Sequence, residues 1–303
     1  MASQDIHVIR QLLEEERLEG LLDPAALRQL YDRSTPPYPI PPGITIVPIL
    51  DGGVPAERVT GGMARPGRTL LYLHGGGYVL GSASMYRHLA GAIVEAAAAT
   101  LIVLDYRLAP EHPCPAAVED ALAAYAGLIG QGQDPAELAV AGDSAGGGLV
   151  LATLVRAREA GLPMPAAAVL ISPWTDLAHT APSIERLAGR DPSFDRALLV
   201  AMADYYLGAL DPKTPLASPL YADLGGLPPL LIQVGAEELL LDDSARLDQR
   251  ARAQGVDSVL EIWDEMVHSW HFYYPQLQEG RAAIQRLGAF IQSKVAGVTT
   301  AAP

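Results

Sequence analysis

Gly142-Asp143-Ser144-Ala145-Gly146 is the stretch on which the reading of this chain turns. An apolar run from Leu138 to Ala141 precedes it and a helix-compatible run from Leu149 to Ala160 follows, so the pattern Gly-x-Ser-x-Gly falls on a strand-to-helix turn. A serine hydroxyl is a weak nucleophile at neutral pH, and a tight turn of this kind exposes its oxygen to a base and to a substrate carbonyl. Gly142 and Gly146 leave room for backbone to pass on either side, where a β-carbon would obstruct. Short glycine motifs recur by chance, and a glycine-rich turn that merely contains a serine would look the same in isolation.

The support lies upstream. Leu70 to Leu73 reads as a buried strand and runs into His74-Gly75-Gly76-Gly77-Tyr78, the oxyanion-hole pattern of lipases and esterases. Attack on an ester carbonyl puts negative charge on its oxygen, and backbone N–H groups fixed in advance stabilise that charge without reorganising. Gly76 and Gly77 allow their amides to face a cleft, and the amide of Ala145 supplies a third donor. A phosphate loop would end in Gly-Lys-Ser/Thr, whereas Tyr78-Val79 follow here. The two motifs together point to acyl transfer.

A serine of this kind needs a base, and in this fold class the chain order is serine, acid, histidine. Of the seven histidines, His7, His74, His88 and His112 precede Ser144 and His179 precedes the acid region, which leaves His268 and His271. Val259 to Trp263 alternates as a strand, so His268 falls on the loop beyond its end, where catalytic groups of open α/β sheets sit; His271 lies in an aromatic stretch that reads as the start of the last helix. The acid should follow the strand Leu230 to Val234. Asp242, Asp243 and Ser244 precede an amphipathic run, Ala245 to Gln254, and read as helix caps and dipole partners. Glu237 and Glu238 lie nearer the strand end, and spacing alone does not separate them.

With these elements the chain resembles the bacterial hormone-sensitive-lipase-like esterases, a family of capped α/β-hydrolases. The resemblance runs from His74 onward and includes Asp105-Tyr106-Arg107-Leu108-Ala109-Pro110-Glu111-His112-Pro113, Ser172-Pro173-Trp174-Thr175-Asp176-Leu177 and Ser218-Pro219. The family usually carries Asp-Pro-Leu-x-Asp at the acid position with the first aspartate catalytic. Registering that pattern on Glu238-Leu239-Leu240-Leu241-Asp242 assigns the acid to Glu238, with glutamate for aspartate and Leu239 for proline; Ser-His-Glu triads exist in this fold. The resemblance thus implies Ser144, Glu238 and His268 as catalytic residues and Gly76, Gly77 and Ala145 as the oxyanion hole, with no cofactor and no metal. Tyr106, Arg107 and Glu111 are expected to brace their loop, His74 to anchor the glycines, and Asp143 to bond the elbow or the oxyanion region.

Along the chain, strands are expected near Ile44 to Leu50, Arg68 to Leu73, Thr100 to Leu104, Glu137 to Ala141, Ala166 to Ser172, Leu230 to Val234 and Val259 to Trp263, with helices between most of them. Such alternation predicts an α/β fold with a mostly parallel central sheet covered by helices on both faces. Ile6, Ile9, Leu12 and Leu13 share a helical face, and Asp23-Pro24 opens a second helix that the proline-rich stretch Pro36 to Pro42 follows. A second insert, about Ala181 to Pro215, carries Phe194, Met202, Tyr205 and Tyr206 at helix-compatible spacing. The resemblance implies that two such segments form a helical cap: residues 1–44 and 181–217, over a catalytic domain of 45–180 and 218–297, with 298–303 as a tail.

Composition narrows the function further. Half of the 303 residues are hydrophobic, enough to bury one large core and a cap. The formal net charge of −14 argues against nucleic acid and against an anionic membrane surface, since both need basic protein. The start shows no charged-then-apolar signal pattern, and no apolar run reaches membrane-spanning length. The single cysteine, Cys114, fits a reducing cytoplasm. The expectation is a cytoplasmic serine carboxylesterase acting on small-molecule, short-chain esters through a covalent acyl-enzyme, with a homo-oligomer left open. The alternatives are an amidase or deacetylase on the same triad, or a non-catalytic small-molecule receptor, against which the presence of His268 argues.

Overall fold

The computed structural model describes residues 3–15, 23–34 and 38–295; the expected tail, and the start of the proline-rich stretch, lie outside them. Eight strands form one sheet: β1 (Thr45–Asp51), β2 (Val54–Thr60), β3 (Thr69–Leu73), β4 (Thr100–Leu104), β5 (Leu138–Asp143), β6 (Ala167–Ile171), β7 (Leu230–Gly235) and β8 (Ser258–Trp263). Their order is β1-β2-β4-β3-β5-β6-β7-β8. β2 pairs antiparallel with both β1 and β4, and every pairing from β4 to β8 is parallel.

The helices among the described residues are α1 (Asp5–Glu15), α2 (Pro24–Ser34), α3 (Arg87–Ala97), α4 (Ala116–Gly130), α5 (Ala145–Glu159), α6 (Ser183–Arg186), α7 (Arg196–Leu207), α8 (Leu241–Ala253) and α9 (Gln278–Lys294). Successive residues of a strand serve opposite faces. Leu71, Leu73 and Val140 pack into one core with Ala121 of α4, Leu149 of α5 and Leu247 of α8. Leu70, Tyr72 and Ala139 pack into the other with Ile93 of α3 and Leu287 of α9. Central strands are therefore apolar on both faces over most of their length, which is why β3 to β7 stand out as apolar runs. No described helix is long and apolar enough to cross a membrane.

Three expectations are corrected. β2 was not anticipated: Val54-Pro55-Ala56-Glu57-Arg58-Val59-Thr60 mixes charge and proline, and it pairs through the Gly52-Gly53 turn with an edge strand whose Leu50 is 71% exposed. α8 begins at Leu241 rather than at Ala245, so Asp242 and Asp243 lie inside its first turn and the cap position falls to Leu240. The acidic pair still complements the helix dipole, but Asp243 is buried and accepts from Thr175 N and Asp176 N at 2.8 and 2.9 Å. His271 belongs to a short 3-10 turn, Trp270–Tyr273, and the last helix starts at Gln278.

The amino-terminal helices arise as their sequence suggests. Ile6 and Ile9 are buried against Met266, Val267, Trp270 and Tyr273, and the Asp23 carboxylate accepts from Ala26 N at 2.9 Å to cap α2. Arg28 then fastens α2 to the core, donating to Val79 O at 2.8 Å and Ala109 O at 2.7 Å and pairing with Glu111.

Candidate active site

Parallel pairing brings the carboxyl ends of β3, β5, β7 and β8 to one edge of the sheet, and the segments leaving them hold all of the candidate residues. Ser144 follows β5 with φ 53° and ψ −124°, a left-handed backbone that costs a non-glycine residue about 1–3 kcal/mol. The surroundings fix it. Ser144 N donates to Ile171 O at 2.8 Å, and Ser144 O accepts from Gly147, Gly148 and Trp174 amides at 3.0, 3.2 and 2.9 Å. Gly146 is required by close approach, since a β-carbon there would lie 2.0 Å from Leu73 O.

The glycine loop leaves β3 with φ 111° at Gly76 and 62° at Gly77, conformations that L side chains seldom adopt. Asp143 ties it to the elbow. Its carboxylate, 3% exposed, accepts from Gly75 N and Tyr72 Oη at 3.0 Å each and from Tyr86 Oη at 2.9 Å. Burial pushes this carboxyl up to about 6, against the hydrogen bonds from Tyr86 and Tyr72 that pull it down. His74 stacks on Tyr106, ring centroids 4.3 Å apart, its Nδ1 lies 2.7 Å from Gly75 O, and Tyr106 Oη donates to His74 O at 2.6 Å. Burial holds its pKa below the ordinary histidine value, so it sits neutral as a wedge beneath the loop. Ala145 opens α5, and a first-turn amide has no partner within its own helix.

His268 lies beyond β8, as expected, and its Nδ1 is 2.7 Å from Glu238 Oε2. The other oxygen of Glu238 accepts from Ser172 Oγ at 2.8 Å and from Gly235 N at 2.5 Å, so a fully buried carboxylate is supplied with donors. Burial alone would lower the His268 pKa, but the Glu238 hydrogen bond and charge, with Asp191 and Asp143 adding, raise it above the ordinary value. The edge of Phe194 meets the imidazole at 4.7 Å between ring centroids.

The neighbours that spacing left open are separated by their partners. Glu237 turns to arginines, pairing with Arg190 at 2.6 Å and Arg10 at 3.9 Å. His271 is fully buried, its Nε2 2.9 Å from Gln233 Oε1, and burial drives its pKa down to about 3. It is held by the Gln233 side chain, away from Glu238.

Ser144, Gly76, Gly77 and His268 border one cavity of about 160 Å³. Its other side is mostly apolar: Leu13 of α1, Phe194, and Leu198, Leu199 and Met202 of α7, with Tyr31 of α2 and Ser193 among them. Met202 reaches the glycine loop itself, since a β-carbon on Gly77 would lie 2.1 Å from its sulfur. Tyr78, next in the chain, stacks on Tyr206 of α7 at 3.7 Å and 5° between rings. Ser172 is the contributor that sequence reasoning missed. It was visible in Ser172-Pro173-Trp174, but its Oγ contact to Glu238 and its acceptance of Ser269 N at 3.2 Å arise only from the approach of β6 to the β7 and β8 loops.

A serine on a strained elbow, a loop of left-handed glycines beside it and a histidine–carboxylate pair on one cavity define an α/β-hydrolase. A family profile described as the alpha/beta hydrolase fold matches residues 70–272. The acetyl-hydrolase of Streptomyces hygroscopicus is 47% identical over 298 residues, 97% of this chain and 98% of that protein. The crystal structure of an esterase from the bacterial hormone-sensitive lipase family superposes with a TM-score of 0.95 at 44% identity, covering 98% of this chain and all of that one (100%). EstE5, in a crystal soaked with p-nitrophenyl butyrate, gives 0.93 at 46% identity, over 98% and 100% of the two chains. The chain belongs to the bacterial hormone-sensitive-lipase family of α/β-hydrolase esterases, and it is a carboxylic ester hydrolase.

Proposed function

We propose that this chain is a serine carboxylesterase for short-chain esters, with Ser144 as nucleophile, His268 as base and Glu238 as the acid that orients it. The observation that carries the reading is the 2.7 Å contact of Glu238 with His268 Nδ1 at the rim of the cavity that holds Ser144. Glu238 accepting from Nδ1–H leaves Nε2 basic. Nε2 takes the Ser144 proton as Oγ attacks the ester carbonyl, and the amides of Gly76, Gly77 and Ala145 stabilise the tetrahedral oxyanion. The imidazolium gives its proton to the leaving alcohol. Water then repeats the cycle on the acyl-enzyme, releasing the acid and restoring Ser144.

Residues 1–44 and 181–217 act in this reading as a cap over a catalytic domain of 45–180 and 218–297, supported by the cavity walls that α1, α2 and α7 supply. A cavity of about 160 Å³ is small beside the roughly 300–1,000 Å³ of sites that enclose drug-sized ligands, which favours acyl chains of about four to eight carbons at roughly 0.8 kcal/mol per buried methylene. The butyrate ester soaked into EstE5 falls at the short end of that range, and the two-carbon acyl group in the Streptomyces relative's name is shorter still. The free, buried Cys114 suits a reducing, cytoplasmic setting.

A fluorophosphonate should label Ser144, and Ser144→Ala should lose the label and nearly all turnover. Label on Ser172 or Ser218 would overturn the assignment, and a rate rising steadily from acetyl to palmitoyl aryl esters would overturn the short-chain reading.

A further inference from the structure

Consecutive residues of the 181–217 insert grip the two neighbours of Glu238. Arg190 Nη2 donates to Glu237 Oε1 at 2.6 Å, and Asp191 Oδ2 accepts from Leu239 N at 2.9 Å. The first grip is solvent-reached, with the Arg190 side chain 59% exposed. The second is buried: Asp191 is 1% exposed, and its other oxygen accepts from Ser193 N at 2.9 Å.

Two backbone N–H groups do not require a charged acceptor, and burying a carboxylate for them alone is costly. Among the described residues no arginine or lysine forms an ion pair with Asp191. Burial pushes the Asp191 carboxyl up to about 6, against the positive charge of His268 and the hydrogen bonds from Leu239 N and Ser193 N, which pull it down. The charged groups facing His268 are Glu238 from the loop after β7, Asp143 from the elbow and Asp191 from the insert, with Phe194 closing the remaining side. Asp191 is therefore the only one of the three carboxylates carried by the insert.

We infer that Asp191 is a positioning residue for the base: it keeps the Glu238–Leu239 peptide in register with the insert and supplies negative charge that stabilises the imidazolium formed at His268. The inference rests on the base assignment made above. It makes the insert part of the acid–base machinery as well as a wall of the substrate cavity.

Asp191→Asn removes the charge at nearly constant volume and keeps one acceptor oxygen. The measurement is kcat and KM for an aryl acetate across pH, with melting temperature alongside. The acid limb should move down by about half a pH unit or more, plateau kcat should fall about tenfold, and KM should stay within about threefold. Asp191→Ser, which also removes the charge, should move the limb in the same direction and serves if the asparagine variant packs poorly. Arg190→Gln releases the exposed grip but keeps the charge, so its limb should stay at the wild-type position. An acid limb unmoved in both Asp191 variants overturns the inference, as does an equal shift in Arg190→Gln. His268→Ala separates the two readings: wild-type activity there removes the base assignment itself, whereas an inactive His268→Ala beside a normally titrating Asp191→Asn removes only the role of Asp191.

Discussion

The cavity has two sides built from different materials. The floor is backbone: left-handed glycines, a strained serine and the first amide of α5, each fixed by sheet geometry and buried hydrogen bonds. The wall above it is side chain: Phe194, Leu198, Leu199 and Met202 hold the space through volume alone. Chemistry that must stabilise a charge at a fixed point needs the first kind of surface, because preorganised dipoles work only when they do not move. Discrimination among alkyl chains needs only the second.

The largest effects should come from the floor and the groups that serve it. His268→Ala and Glu238→Ala should each lower kcat on the order of 10³-fold, because members of a triad act as a unit. Steady-state assays of both would break the comparison if either fell by less than tenfold. Gly77→Ala comes next, at about 10²-fold in kcat, since its β-carbon would meet the Met202 sulfur at 2.1 Å and its φ is 62°. Adding Met202→Ala relieves the collision and should recover about tenfold, while the left-handed strain of about 1–2 kcal/mol persists. A double variant no better than the single one would show that the two sides are not in contact in the way described.

The pH profile comes next in size. Only neutral His268 can accept the serine proton, and its pKa is raised, so kcat/KM should rise with pH through a midpoint above the usual value of about 6.5. The stability consequence has the opposite sign. The charged pair with Glu238 contributes fully below the unfolded-state pKa and is lost as pH rises through the folded one. Glu238→Gln should therefore shift the kinetic midpoint downward and weaken the dependence of melting temperature on pH across the same window.

Changes to the wall should be smallest in rate and visible mainly in preference. Met202→Ala should leave kcat on acetyl esters within about threefold and lengthen the best acyl chain by one or two methylenes, at up to about 0.8 kcal/mol each. Competition between acetyl and hexanoyl aryl esters would measure it, and an unchanged ratio would place the chain elsewhere in the cavity.

The same contrast explains what could be read in the chain. Floor residues were legible because backbone demands are written in glycine and in chain order: Gly76, Gly77, Gly146 and Ser144 need particular torsions or clearances, and only two histidines follow the acid region. β3 to β7 were legible because strands buried on both faces are apolar over most of their length. β2 escaped because Pro55, Glu57 and Arg58 break the apolar run that marks the central strands, although Gly52-Gly53 signalled the turn. Glu237 and Glu238 are adjacent on one loop, and what divides them is the approach of Ser172 and His268 to one and of Arg190 and Arg10 to the other, contacts between segments distant in the chain. The wall was least legible, since a leucine facing a cavity and a leucine facing a core are the same residue.

The stack of Tyr78 on Tyr206 joins the two sides. A lineage adapting to bulkier esters could shift α7 outward or trim the side chains that α7 presents. Shifting the helix would drag on the residue that follows the oxyanion glycines and disturb the rate for every substrate, whereas trimming Met202 or Leu199 leaves the stack alone. Substrate range in this molecule is therefore open to change by single substitutions along one helix, and closed to change by moving that helix.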